Sequence, residues 1–327
     1  MLALALAASL MTVSLGPGAA SGSETGLRGQ DPTESAPVAL DDVFVEGRRF
    51  DNLARDFVSE VAIPARGRGL ARWRDGVCVG VVNLRTEAAQ YIVDRVSTVA
   101  EGVGLRPGAP GCTPRILVIA TTDANRFTRE FVATRPRLFR VGGGGMDLGH
   151  NALRAFEATD RPVRWWTVSA PVDSRTGQIA VRLPGTVNGS GAAPPFGSTA
   201  QQYAPQISST ASRLTTQIVD DTLRSFVIVD VDRLNGASLE QLADYIAFVS
   251  LAQIDPDADT SGYVSVLNVF DDPGQAEGLT GWDHAYLQGL YATERTRLNP
   301  ASQQTEIVGT IARAHRARGA REGAAAD

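Results

Sequence analysis

Hydrophobic positions along the chain recur with two periods, and the period switches several times. "VCVGVVNL" (77–84) and "TPRILVIATT" (113–122) are continuous apolar runs, the pattern of strands buried on both faces. Between them, Ile92, Val96, Val99 and Val103 fall on one face of a helix that Thr86 is placed to cap. A strand–helix–strand unit of this kind makes its two strands parallel, so residues 77–121 are expected to form a right-handed βαβ unit.

Around this unit the pattern predicts a strand at "DVFVEG" (42–47) and helices over Asp51–Val61, Asp123–Thr134 and Leu148 to Glu157. "PVRWWTVSAPVD" (162–173) and "GQIAVRLP" (177–184) read as two antiparallel strands. Alternation puts Trp165 and Trp166 on opposite faces of the first, both as core residues or with one lining a ligand groove. A further strand is expected at "ISSTASRL" (207–214), a helix near Thr216–Leu223, and a sheet strand at "SFVIVDVD" (225–232). "SLEQLADYIAFVSLAQI" (238–254) opens with a capping box, Ser238 with Gln241. Its apolar residues go nearly all round, so this helix is expected beneath the sheet with Leu242, Ile246 and Val249 buried. The fold class is α/β to α+β: a mixed sheet with a βαβ unit and a buried central helix, in one domain over 42–312.

The ends differ in composition. Residues 1–20 hold an uncharged apolar run closed by Gly16-Pro17 and small residues, the pattern of a secretory signal peptide and too short for a membrane span. Residues 21–41 read as a flexible leader, 184–205 as a long uncharged surface loop, and 313–327 as a disordered arginine-rich tail. Export gives the two cysteines a role. Cys78 and Cys112 start the two parallel strands on one sheet edge, and a bond between them stabilises by about 3.8 kcal/mol in the chain-entropy relation. Two free buried thiols are the alternative.

Composition removes some chemistries. All 31 basic residues are arginine, so Schiff-base, P-loop and Ser-x-x-Lys mechanisms lack their amine. His150, His284 and His315 are isolated, which speaks against a conventional zinc site. Gly142–Gly145 lacks the spacing of a dinucleotide cradle, and the short basic tail makes no case for nucleic acid. From Leu234 to Glu294 no lysine or arginine occurs, while acidic residues accumulate, a composition that attracts cations.

Within that block, "QIDPDADTSGY" (253–263) sets Asp255, Asp257 and Asp259 at alternate positions. Numbered from Asp255, an EF-hand loop needs glycine where Thr260 stands and glutamate where Val266 stands. The stretch is expected to be a surface turn, with backbone amides, Thr260, Ser261 or distant arginines offsetting the carboxylates. A looser calcium site completed by Asp271 or Asp272 is the alternative. Glu240 and Asp244, one helical turn apart, replace the histidines of a metalloprotease helix. They read as solvent-facing residues of the first turns, or as an atypical carboxylate site for a hard cation.

The order of strand, buried helix, aspartate loop, "VLNVFDD" (266–272) and "LTGWDHAYLQGLY" (279–291) resembles a proteobacterial family of exported proteins of unknown function. Asn268, Phe270, Asp271 and Asp272 match its Phe-Asn-Asp segment. Asp283, Leu287, Leu290 and Tyr291 match its later helix. The resemblance implies a zincin-like fold, degenerate here because the metal-binding helix carries no histidine pair. The expected function is therefore a periplasmic or secreted binding module, without cofactor, for a periplasmic protein or cell-envelope component. A metal-dependent hydrolase or peptidase with a carboxylate site is the alternative.

Overall fold

The structure, a computed structural model, describes residues 40–65, 67–140, 148–180, 215–299 and 301–326. Strands β1 (Gly76–Val77) and β2 (Val79–Val82) lead into helix α2 (Thr86–Gly102). The short β3 (Arg106–Pro107) and then β4 (Ile116–Thr121) follow. Helices α3 (Ala124–Thr134), α4 (Pro136–Phe139) and α5 (His150–Ala158) precede the long strands β5 (Val163–Asp173) and β6 (Ile218–Asp230). The main sheet has the order β2-β4-β6-β5, parallel except for β5, which runs antiparallel to β6 along one edge.

Alternation along β6 divides the core in two. Val227 and Val229 face α2 and α6 (Leu239–Leu251), whereas Phe226 and Ile228 face α3, α4 and α5. The tryptophans of β5 divide in the same way. Trp165 donates from Nε1 to the Ile254 carbonyl at 3.1 Å, and Trp166 donates to the Phe139 carbonyl on the other face at 2.9 Å. Helix α6 has the expected capping box, and Gln241 through Leu251 are all buried, Leu242, Ile246 and Val249 included. Helices α7 (Gly281–Ala292), α8 (Ala301–Ala326) and α1 (Leu40–Val61) complete that layer. The βαβ unit is present, with β2 and β4 parallel and Cys78 bonded to Cys112.

Several segments depart from the sequence reading. "DVFVEG" is not a strand but lies in the first turns of α1, whose buried stripe further along is Ala54, Phe57, Val58 and Val61 with Phe50 packed against it. The helix expected near Thr216–Leu223 is the first half of β6: that strand pairs antiparallel with β5 along the whole of β5, from Val163 to Asp173, and this pairing outweighs local preference. Arg85, not Thr86, caps α2, without a side-chain hydrogen bond. The tail expected to be disordered continues α8 to Ala326; its alanines favour helix, and Ile307, Ile311 and Ala312 are buried at its start. The glycine run, the 184–205 loop and the strand expected at 207–214 lie outside the described residues, as do the signal and leader segments up to residue 39.

Candidate functional site

The sheet edge at β5 borders two adjoining hollows. The first, about 80 Å³, follows the edge between α5 and the segment after α6, with Trp165, Trp166, Phe156 and Ile254 among its walls. The second, about 330 Å³, is polar and opens over the aspartate loop. Thr159, Arg161, Trp165, Asp255 and Pro256 belong to both, so the two form one cleft.

The loop closes on itself through short-range hydrogen bonds. Asp255 accepts from the Asp257 amide at 2.9 Å, and Asp259 accepts from the amide and hydroxyl of Ser261 at 3.1 and 2.6 Å. Those donors hold the Asp259 carboxyl below its ordinary pKa. Asp257 pairs with Arg161 at 2.7 Å, and the same guanidinium donates to the Pro256 carbonyl. Asn268 clamps the far end: its amide donates to the carbonyls of Thr260 and Tyr263 at 2.9 and 2.8 Å, while Thr260 donates back at 2.6 Å.

The candidate calcium ligands do not converge. Asp271 lines the cleft with Asp255 and Asp259, but Asp272 turns away to accept from the Gly274 amide at 3.0 Å. Among the described residues no three His, Cys, Asp or Glu side chains form a group able to hold a metal. Glu240 and Asp244 separate as well. Glu240 is exposed, whereas Asp244, expected to face solvent, is buried beneath Arg95 and accepts from the Leu279 amide at 2.8 Å. The approach is so close that a Cβ on Gly278 would stand 2.2 Å from the Asp244 carboxylate. Asp244 therefore ties α6 to α2 and to the chain entering α7. His150 and His284 are exposed and apart, and His315 stacks on Phe50.

Asp283 is also structural. It accepts from the Ser265 hydroxyl, the Val266 amide, and both the amide and hydroxyl of Thr280, at 2.6 to 2.9 Å. Burial nevertheless raises its pKa above the ordinary carboxyl value. An acid with a raised folded pKa keeps its proton longer in the folded chain. Its contribution is greatest at low pH and is lost as pH rises from about 4 through the folded pKa. The stability of the parent relative to Asp283→Asn should therefore fall with rising pH in that window and stay flat below it. Urea titrations of both proteins from acid to neutral pH test this, and a relative stability that rises instead reverses the assignment.

Two cleft residues carry no signal in the aspartate motif. Arg164, 2% exposed, donates to Asn125 Oδ1 at 2.6 Å and reaches carbonyls at the end of α5, but its Nε has no partner. Burial lowers its pKa. Thr167, 7% exposed, leaves its hydroxyl unpartnered. An arginine inside an apolar strand was the visible sign in "PVRWWTV"; the threonine had none. Comparison with protein-family models, curated proteins and solved structures returns no match for this chain. No helix among the described residues is long and apolar enough to cross a membrane.

Proposed function

We propose that the chain is an exported, non-catalytic binding module with a degenerate zincin-like fold, and that the cleft beside β5 receives a periplasmic or cell-envelope partner. One observation carries the reading. Asp244, Asp272 and Asp283 are held in structural hydrogen bonds and Asp257 pairs with Arg161, while the cleft keeps unpartnered polar groups among aromatic walls. The apolar N-terminal run and the disulfide support export.

Metal content and calcium calorimetry test it together, on protein purified from the periplasm. The expected result is substoichiometric metal and no calcium affinity tighter than about the millimolar range of incomplete sites. One-to-one calcium binding at micromolar level that vanishes in Asp257→Ala would overturn it. So would stoichiometric metal accompanied by casein hydrolysis that Glu240→Gln abolishes.

A further inference from the structure

Among the described residues, the outer side of β5 is paired only near its C-terminal end. Pro162 accepts from Asp230 on the β6 side, so even-numbered residues bond inward. Odd-numbered residues bond outward: Pro171 accepts from Ala180, and Asp173 donates to Gln178. The pairing of Val172 with Ile179 covers only that end of the edge. From Val163 to Thr167 the outward amides and carbonyls have no backbone partner among the described residues. Trp165 and Thr167 are nevertheless buried, and Thr167 adds an unpartnered hydroxyl beside the same slot. Buried backbone groups left unpaired are costly, and a paired strand relieves that cost.

The second hollow gives the occupant a charge. Asp255, Asp259 and Asp271 line it; Asp160, also in its wall, is paired with Arg233, and the Arg161 guanidinium is engaged by Asp257. We infer that the cleft binds an extended peptide segment of a partner protein, paired with the outer edge of β5, with apolar side chains in the slot and a following basic residue over the aspartates. Apolar walls at Ala155 and Phe156 on one side and Ile63 and Ile254 on the other suit alternating side chains of such a strand. The inference rests on the binding-module reading. Metal content decides that reading and leaves the peptide result unaffected, so the two fail separately.

The test uses the full chain and a fluorescein-labelled peptide of about seven residues, β-branched residues followed by two arginines. Two further copies carry glutamates for the arginines, or N-methyl groups at alternate amides. Replacing arginine by glutamate should weaken binding about tenfold or more, and raised salt should weaken the arginine peptide. N-methylation should cost about tenfold as well, because it removes ladder hydrogen bonds without changing side chains. Ala155→Trp fills the slot from the exposed face of α5, where substitution costs little stability, and should cost about tenfold with the melting temperature retained. No binding of the arginine peptide, equal binding of the charge-reversed copy, or indifference to Ala155→Trp overturns the proposal. Amide exchange at Trp165 and Thr167 closes the remaining route: protection in the free chain means its own residues 181–214 fill the edge, and overturns it too.

Discussion

Asp221→Asn should destabilise the protein by about 3 kcal/mol or more, the range for removing one partner from a buried ion pair. Asp221 is a buried residue of β6 held by two arginines. Arg74 donates to it at 2.6 Å, and Arg295 engages the other carboxylate oxygen. Both guanidinium groups also bond carbonyls nearby, Arg74 those of Ser174 and Asp173, Arg295 that of Asp220. Arg72 lies in the same cluster, its pKa lowered to about 10 by burial and by Arg295. The substitution keeps the shape and removes the charge, so three guanidinium groups lose their shared counter-ion. A fall of roughly 6–12 °C in melting temperature should accompany it. Asp257→Asn is the control: its pair with Arg161 is exposed on the aspartate side and should contribute less than about 1 kcal/mol. Urea titration measures both. Equal losses would mean that desolvated geometry at Asp221 counts for nothing beyond a surface contact.

That cluster also marks where the sequence stops being informative. The buried helix α6 could be read directly, because its apolar residues surround it and its capping box is local. The βαβ unit could be read for the same reason: each element carries its own period, and the crossover rule joins them. Asp220, Asp221, Arg68, Arg74 and Arg295 are neighbours only after β6 pairs with β5 and two distant segments close over the strand. No spacing rule encodes that meeting. The first half of β6 reads locally as helix for a related reason, since its polar residues face partners supplied by tertiary contact. At the cleft, the aspartate turn was visible as local chemistry. Asp244 was not, because its burial depends on Arg95 from another helix and on a glycine that admits Leu279. The place of β5 at the edge of the sheet is a property of strand order, which a single strand's sequence cannot express.

Removal of the Cys78–Cys112 bond should destabilise by about 3.8 kcal/mol, and most of that loss should arise in the unfolded chain. The sequence separation is 34, and the closed segment contains β2, α2 and β3. Folded contacts at the bond are already supplied by the backbone. The Cys78 carbonyl accepts from the Arg115 and Ile116 amides at 2.9 and 3.0 Å, and Gly108 donates to Val77 at 2.7 Å. The native arrangement around the crossover should therefore survive in Cys78→Ser/Cys112→Ser, while its unfolded ensemble expands. Two readings of one urea titration separate these effects. The variant should unfold at lower urea, and its transition should be steeper, because a chain without the cross-link exposes more surface when unfolded. Hydrogen exchange in β4 should keep the parent's pattern at a reduced overall stability. An unchanged midpoint would show that the bond adds nothing to stability. A lower midpoint with an unchanged slope and selective loss of protection in β2 and β4 would place its effect in the folded sheet instead.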